Sequence, residues 1–443
     1  MRTRFFCITV IVVLLVSFAL FSCGDDDDDN DDNDDADCIN CETTSECTDA
    51  LGPGWACKNG CCEDLSSDDD DTGTGDDDND DNDDNDDDDT APIWQTETVA
   101  RSAAGNRQTS VKVTDDQAVH IAFTGCTDAP CNRSELVYAV KAAGDEAFEV
   151  TSVDAADADT GWFASMQIND AGDIFVVYSN HNRQRQRFAK KLSGGAWITE
   201  NLGIGDGGWW NGTALCGSDL WMAHTKIPFS GWDNVYLQAG TYDGANWTMQ
   251  DVDTTSGSGW FNSMAATPTG DPQVAYVLSP AYPVGNLMLA AWTDKGWDIR
   301  TIDGNTVGVD LAIDADGYRH LVYSKIDPLN SNLWDLWYAT DAPEGTWSKT
   351  ALDSGDSEED DTGGFPGIGV DAMGGLHVSY RHFSVGELRY ARNVDGEWEF
   401  FVADPLGLGM YTDLTVDLDG AVHVTYEDGF NLYHAWCENC AVY

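Results

Sequence analysis

A repeat of about 50 residues constrains the fold of this chain more than any other feature. Its clearest marks are tryptophans that follow a Gly-containing turn and open an alternating strand, spaced 50, 50, 50 and 51 residues apart: Trp197, Trp247, Trp297, Trp347 and Trp398. Before each lies a hairpin with an Asp/Gly turn and an aromatic end, as in SMQINDAGDIFVVY, and then a third strand. Four short strands per unit predict an all-β fold, a β-propeller.

The hairpins number seven, counting three weaker copies, and they predict a seven-bladed propeller over residues 91–443, with six blades as the alternative. The last unit has no Trp-led strand of its own. Residues 93–99, with Trp94, have that form at the start of the region. We expect this strand to pair with the last blade and close the circle, which removes the open edges that an open array or two sandwiches would leave.

The N-terminus predicts export and a lipid anchor. Arg2 and Arg4 precede an uncharged apolar run over residues 5–21, and the run ends in Leu20-Phe21-Ser22-Cys23. This junction resembles the bacterial lipobox, which implies a signal peptide over 1–22 and acylation of Cys23. The alternative is an uncleaved membrane anchor. We therefore expect a lipoprotein held at the cell membrane or outer membrane, facing away from the cytoplasm.

Charge excludes some partners. The chain carries a net charge of −57, and two tracts at 25–37 and 68–89 hold 25 of its 79 acidic residues. Residues 91–443 still carry −30, which disfavours nucleic acid. Segments 23–37 and 65–90 are predicted to be disordered linkers. An EF-hand register starting at Asp68 fails, because Asn79 stands where the bidentate Glu belongs. We expect no cofactor beyond loosely bound Ca²⁺.

The cysteines predict disulfides. Residues 38–64 form a small module in which six cysteines imply three disulfides of open connectivity: Cys38, Cys41, Cys47, Cys57, Cys61 and Cys62. Zinc is the weaker alternative, because no histidine occurs in residues 1–100. Two further pairs are expected, Cys126 with Cys131 and Cys437 with Cys440. Cys216 remains, and we expect it to be buried as a small apolar residue.

One face of the propeller is the candidate binding surface. The connections that lead into the first strand of each repeat, together with the loops between second and third strands, share this top face. They carry recurrent aromatic residues: Trp162, Phe163, Trp209, Trp210, Trp260, Phe261, Phe365 and Tyr411. Flat apolar rings around a concave mouth suit sugars or an aromatic peptide anchor. Packing between blades is the competing interpretation.

Polar residues in the same loops add to this candidate site: His181, Arg183, Arg381 and His382. The function classes are then a binding protein for a glycan or an extracellular protein, and a glycan-active hydrolase or lyase. A hydrolase needs two converging carboxylates, which sequence spacing does not reveal, and no nucleophile or metal-protease motif occurs. We favour binding by a monomer, without catalysis, and assign no catalytic residue.

The repeats also resemble those of sialidase-like propellers with Asp-box repeats. An Asp-box reads Ser-x-Asp-x-Gly-x-Thr-Trp between the third and fourth strands. Here shortened relatives stand before Trp247, as Asp243-Gly244, and before Trp398, as Asp395-Gly396. The resemblance implies a propeller that could act on glycans. The sialidase Arg-Ile-Pro segment has no counterpart in this chain, so the resemblance does not carry the activity with it.

Overall fold

The computed structural model describes residues 55–58, 61–64 and 91–441, apart from 104–107, 127–132, 156–158, 182–184, 203–206, 229–233, 327–332, 344, 356–359 and 395. The chain divides into two compact units, residues 1–84 and 85–443. The predicted signal peptide, Cys23 and both acidic linkers lie outside the described residues.

In the first unit the structure describes one antiparallel hairpin. Strands β1 (Trp55–Lys58) and β2 (Cys61–Asp64) pair with Cys57 opposite Cys62. The rest of the predicted cysteine module, including Cys38, Cys41 and Cys47, lies outside the described residues, so its disulfides stay a prediction.

The second unit is all-β where the structure describes it, built from antiparallel sheets whose strands follow one another in chain order. The first strands are β4 (Ser110–Val113), β8 (Trp162–Ile168), β12 (Gly207–Cys216), β16 (Trp260–Ala266), the second half of β19 (Gly296–Ile313), β23 (Gly364–Val370) and β27 (Met410–Val416). The second strands are β5 (Val119–Gly125), β9 (Ile174–Asn180), β13 (Asp219–Ile227), β17 (Pro272–Leu278), β20 (Arg319–Ile326), β24 (Leu376–His382) and β28 (Val422–Glu427).

The third strands are β6 (Glu135–Lys141), β10 (Arg185–Lys191), β14 (Tyr236–Tyr242), β18 (Gly285–Thr293), β21 (Trp334–Thr340), β25 (Glu387–Val394) and β29 (Asn431–Cys437). The fourth strands are β7 (Glu149–Asp154), β11 (Ile198–Asn201), β15 (Trp247–Asp253), the first half of β19, β22 (Ser348–Asp353), β26 (Glu397–Asp404) and, from the start of the region, β3 (Gln95–Arg101). Each predicted Trp-led segment thus contributes to a fourth strand. No helix in the described part of the chain is long and apolar enough to cross a bilayer.

Strand β19 joins two sets of four into one seven-stranded sheet. Its first half pairs with β18, and its second half pairs with β20. The first strands contact one another in chain order from β4 to β27, and β27 in turn contacts β4. Sheets arranged around a circuit of inner strands give a propeller-like fold, as the repeat predicted.

A repeated polar bond crosses the boundaries between sheets. Tyrosine hydroxyls near the ends of second strands donate to aspartates at the ends of the preceding fourth strands: Tyr178 to Asp154, Tyr276 to Asp253, Tyr323 to Asp303, Tyr380 to Asp353 and Tyr426 to Asp404. These tyrosines are fully buried, and apolar residues of both sheets pack around them. At these five boundaries the Tyr of the second strand and the Asp at the end of the preceding fourth strand therefore act as a pair.

The circuit closes where the sequence predicted. Strand β3 pairs antiparallel with β29, so the start of the region supplies the fourth strand of the last sheet. Trp94 packs edge-on against Tyr390 with ring centroids 5.0 Å apart. Near the axis, Asp413 Oδ2 accepts a hydrogen bond of 2.7 Å from the Val111 backbone N–H, which joins the last sheet to the first. The predicted pairing of the Trp94 segment is confirmed.

The described cysteines agree with the sequence analysis where they can be compared. Cys437 and Cys440 are disulfide-bonded, with Cα atoms 5.5 Å apart. Cys126 is disulfide-bonded, and its predicted partner Cys131 lies outside the described residues. Cys216 is buried and reduced, and burial raises the pKa of its thiol to about 12.

Candidate binding site at the axial mouth

Five first strands carry an aromatic residue in a backbone conformation that side chains rarely adopt. The φ angles are 54° at Phe163, 45° at Trp210, 51° at Phe261, 50° at Phe365 and 54° at Tyr411. Each lies where the pairing of the first with the second strand shifts register. Left-handed backbone costs an L-residue about 1–2 kcal/mol, and such strain persists where the surroundings fix it, often at functional sites.

Hydrogen bonds from the next sheet hold these bulges. The Phe163 carbonyl accepts from Asn211 Nδ2 at 2.8 Å, and the Trp210 carbonyl accepts from Asn262 Nδ2. The Phe365 carbonyl accepts from the Thr412 hydroxyl at 2.6 Å. The polar residue that follows an aromatic on one strand therefore orients the aromatic of the preceding strand.

Glycine makes the approach to each bulge possible. Gly161, two residues before Phe163, has a φ of 86°, and a Cβ there would lie 2.6 Å from the Glu135 carbonyl oxygen. Gly363, two residues before Phe365, has a φ of 75°, and a Cβ would lie 2.3 Å from the Leu336 nitrogen. The backbone thus requires a glycine two residues before the left-handed aromatic, which explains the recurrent Gly-x-aromatic sequence.

All five left-handed aromatics line one cavity of about 290 Å³ at the mouth of the circuit, which we call the mouth cavity. On one side, Phe163 lies 4.8 Å from Trp210, and Trp210 lies 5.0 Å from Phe261, between ring centroids. On the other side, Phe365 lies 4.3 Å from Tyr411. Gly308 occupies the cavity wall between these two groups and leaves room there.

The polar atoms of the mouth cavity are uncharged. Its described lining contains no Asp, Glu, Lys, Arg or His. Two amide oxygens at the lining, Asn262 Oδ1 and Gln108 Oε1, are buried and make no hydrogen bond in the structure. A buried acceptor without a donor is costly, so these oxygens suit a ligand that brings hydroxyl or N–H donors.

The first aromatic of each pair lies elsewhere. Trp162 stacks on His181 with centroids 3.9 Å apart and planes 9° apart, and its Nε1 donates to Ser134 at 3.1 Å. Trp260 is 5 % exposed and packs against Tyr282. Trp209 lies between Trp162 and Trp210. These three side chains, like His181, do not line the mouth cavity. The sequence analysis therefore predicted one binding surface from two sets of residues, one that packs between strands and one that lines the cavity.

The predicted basic residues also stand back from the cavity. The Arg381 guanidinium lies over the Phe383 ring at 4.6 Å, and burial lowers its pKa despite nearby Asp361. His382 is 2 % exposed. Burial also raises the pKa of Asp361, whose carboxylate accepts the Trp334 backbone N–H at 3.0 Å. Arg183 lies outside the described residues.

Sequence reasoning missed other residues that complete the lining. They are Gln108, Asn262, Tyr282, Val307, Trp334 and Thr412 among others. Asn262 and Thr412 directly follow predicted aromatics, so the repeated aromatic position in the sequence could have identified them. Tyr282 lies in the connection after a second strand and Trp334 begins the third strand β21, and no repeated pattern marks either position.

Comparison with known proteins supports the fold and leaves the family open. No family model and no curated protein matches the chain. Among solved structures, an ulvan lyase bound to -[GlcA(1-4)Rha3S]- is similar with a TM-score of 0.54 at 11 % identity, covering 76 % of this chain and 94 % of the lyase. The polysaccharide lyase Uly1 gives 0.51 at 10 % identity, covering 76 % and 90 %.

A fucose-complexed lectin of Aleuria aurantia gives a TM-score of 0.43 at 12 % identity, covering 67 % of this chain and 96 % of the lectin. These neighbours are β-propeller-like, glycan-related proteins. The sialidase-like repeat is not confirmed. Asp243-Gly244, one of its shortened relatives, does form the turn between β14 and β15, with the Asp243 carboxylate accepting two backbone N–H groups.

Proposed function

We propose that this protein is a glycan-binding protein without catalysis, whose mouth cavity receives a neutral or weakly charged sugar. One observation carries the proposal: five strained aromatics converge on a cavity whose described lining has no charged side chain and holds two amide oxygens without donors. Sugars present apolar ring faces to aromatics and hydroxyl donors to amide oxygens, so both features match one ligand.

We also propose seven blades, because the first strands make one circuit of seven when β19 is counted in both of its sheets. A lipid at Cys23 would hold this binding surface outside the cytoplasm at the end of the acidic linkers. This anchor rests on the Leu-x-Ser-Cys junction. The chain's negative charge favours an uncharged ligand over an anionic one.

The experiment is a glycan-array screen with the full-length chain, followed by titration of the best ligand against Phe261→Gly and Gln108→Met. Glycine suits the left-handed backbone at position 261, so this change removes the ring with little strain. Methionine keeps the length of Gln108 and removes its amide. Each change should weaken binding about fivefold, because one stacked ring or one hydrogen bond contributes about 1 kcal/mol.

The matched control is Phe400→Ala, which removes a 43 % exposed ring from an outer strand and should leave affinity unchanged. Unchanged affinity in both mouth variants, with folding intact, would place the binding surface elsewhere. If Phe261→Gly instead unfolds the protein, Gln108→Met alone still tests the cavity.

A polysaccharide lyase is the second candidate function, favoured by the fold likeness to two such enzymes. Because the described lining of the mouth cavity has no charged residue, a lyase would have to use groups beside it. Arg381 and His382 end the strand that pairs with the Phe365 strand, and Asp361 precedes Phe365 by four residues. Turnover of a uronate polysaccharide to unsaturated products, abolished by Arg381→Gln or His382→Gln, would establish the lyase. The binding proposal expects no turnover.

A further inference from the structure

A second cavity, of about 440 Å³, lies where the last sheet meets the first, at the boundary between β27–β28–β29–β3 and β4–β7. We call this boundary the closing seam and the space the seam cavity. The hairpin turn after β27 and the turn after β6 contribute to its lining, so it opens at the end of the strands opposite the mouth cavity. Its charged lining residues are Glu97, Lys141, Asp417, Asp419 and Glu438, and His423, His434 and Trp436 also line it.

The cavity exists because the repeat changes at this seam. At three other seams a Trp packs edge-on against a Tyr of the neighbouring third strand, at 5.1 Å for Trp197 on Tyr138, 5.3 Å for Trp398 on Tyr338 and 5.0 Å for Trp94 on Tyr390. At the closing seam the pair is Phe148 on His434, at 5.6 Å. Both side chains are smaller than those they replace, and the space they leave is open.

The same change alters a polar relay. In two other sheets a Tyr hydroxyl bonds a His Nδ1 at 2.6 Å, and the His Nε2 meets an Asp carboxylate, at 3.1 Å for His320 with Asp314 and 3.2 Å for His377 with Asp371. Because the hydroxyl can donate to Nδ1, Nε2 carries the hydrogen that the carboxylate accepts.

At the closing seam the relay runs the other way. His434 replaces the tyrosine, and its Nδ1 lies 3.1 Å from Glu97 Oε1, while Lys141 Nζ also contacts Glu97 at 2.8 Å. Burial lowers the pKa of His434 to about 4, so its ring is neutral near pH 7 and donates its one hydrogen to Glu97. His434 Nε2 then accepts from His423 Nδ1 at 3.0 Å.

This order leaves two acceptors facing each other. With its hydrogen on Nδ1, His423 presents a lone pair at Nε2 toward Asp417 Oδ2, 3.5 Å away, and this buried nitrogen makes no hydrogen bond in the structure. The other Asp417 oxygen already accepts the backbone N–H groups of Asp419 and Ala421. The His423 ring lines the seam cavity, so a donor bound there would supply the hydrogen bond that Nε2 lacks.

We propose that the seam cavity binds a protonated primary amine, whose N–H donors reach His423 Nε2 and Asp417 Oδ2. Four carboxylates line the cavity against one lysine that is already paired with Glu97, so the local charge also favours a cation. The described residues contain no group of three His, Cys or carboxylate ligands that could hold a metal ion, which favours an organic cation. An amino sugar and an alkylamine share this chemistry.

The test is calorimetric titration of the full-length chain near neutral pH with glucosamine, N-acetylglucosamine and 1,5-diaminopentane. We expect glucosamine or the diamine to bind at least about tenfold more tightly than N-acetylglucosamine, because acetylation removes the charge and the ammonium donors. Binding of glucosamine identifies an amino-sugar source, and binding of the diamine alone identifies an alkylamine. Equal binding of the acetylated sugar, or no binding of either amine, overturns the proposal.

Variants separate this site from the mouth cavity. Asp417→Asn places an amide donor opposite His423 and should weaken amine binding at least about tenfold. The matched control is Asp371→Asn, at the equivalent position of a sheet in which the His–Asp hydrogen bond is formed, and it should leave the affinity for the amine unchanged. Phe261→Gly should also leave amine binding intact. As a second variant, Phe148→Trp with His434→Tyr restores the repeated pair and should close the cavity to amines.

Nitrogen NMR of the histidine rings gives an independent readout. We expect the His423 ring of the free protein to carry a hydrogen on Nδ1, where it faces His434 Nε2, and its Nε2 resonance to shift on adding the amine. A doubly protonated His423 ring near neutral pH that does not respond to amines would mean that a proton already fills the gap, and it would refute the proposal.

Discussion

The closing seam and the repeated seams solve the same packing problem with different residues. At a repeated seam such as that of Tyr380 and Asp353, a buried hydroxyl bonds a carboxylate across the boundary at 2.7 Å. At the closing seam the equivalent places hold Phe123 and Ala100, which pack in one apolar cluster. Farther out, the Trp and Tyr pair gives way to Phe148 and His434.

This difference changes which contacts hold the first and last sheets together. The closing seam lacks the Tyr–Asp tether and the full aromatic contact. It is crossed instead by the apolar cluster around Phe123, by the Lys141–Glu97 ion pair and by the bond from Val111 to Asp413. The pairing of β3 with β29 within the last sheet and the bond from Val111 to Asp413 across the seam each join residues more than 300 positions apart. The repeated seams, by contrast, form between neighbouring segments of the chain.

Removing β3 should have the largest effect. A variant in which only residues 91–101 are deleted loses the fourth strand of the last sheet and the Trp94 contact, and it exposes the edge of β29. We expect it to lose cooperative thermal unfolding or to become insoluble, as measured by circular dichroism and fractionation. Deletion of residues 76–86, an equal length of the acidic linker, is the control and should melt like the unaltered chain.

The buried carboxyl of Asp413 should make the closing seam sensitive to pH. Burial, reinforced by nearby Asp310 and opposed by Lys112, raises the pKa of Asp413 to about 6. The folded chain therefore holds this proton more tightly than the unfolded chain, and the contribution to stability falls as pH rises from about 4 to 6.

Asp413→Asn keeps an oxygen for the Val111 N–H and removes the charge. It should raise the free energy of unfolding near pH 7 by up to about 3 kcal/mol and leave it unchanged near pH 4. Denaturant unfolding at both pH values measures the difference. An equal effect at the two pH values would show that folding does not raise the pKa of Asp413.

The sequence could predict the features that every repeat shares. The Trp spacing and the hairpins predicted the sheets, and the missing last strand predicted the pairing of the Trp94 segment. Sequence could not separate Trp260 from Phe261, because only the left-handed bulge turns the second ring into the cavity and leaves the first packed on Tyr282. It also gave no sign of the seam cavity, which arises from two substitutions 286 residues apart, Phe148 and His434, that meet only when the circuit closes.

Removing one Tyr–Asp hydrogen bond at a repeated seam should have the smallest effect on stability. It also compares a repeated seam directly with the closing seam. Tyr276→Phe removes a buried hydroxyl that donates to Asp253 at 2.6 Å, and it leaves the carboxylate short of a donor. We expect a loss of about 2 kcal/mol in the free energy of unfolding, as for other buried bonds to charged groups.

The reverse change at the closing seam is Phe123→Tyr. It introduces a hydroxyl at a boundary where Ala100 stands in place of the accepting Asp. The buried hydroxyl should therefore destabilise the protein by about 1–3 kcal/mol instead of forming the Tyr–Asp hydrogen bond. Denaturant titrations of both variants measure the two values. A gain in stability from Phe123→Tyr would mean that the closing seam can accept the repeated tether through another partner, and its apolar interior would then not be required for closure.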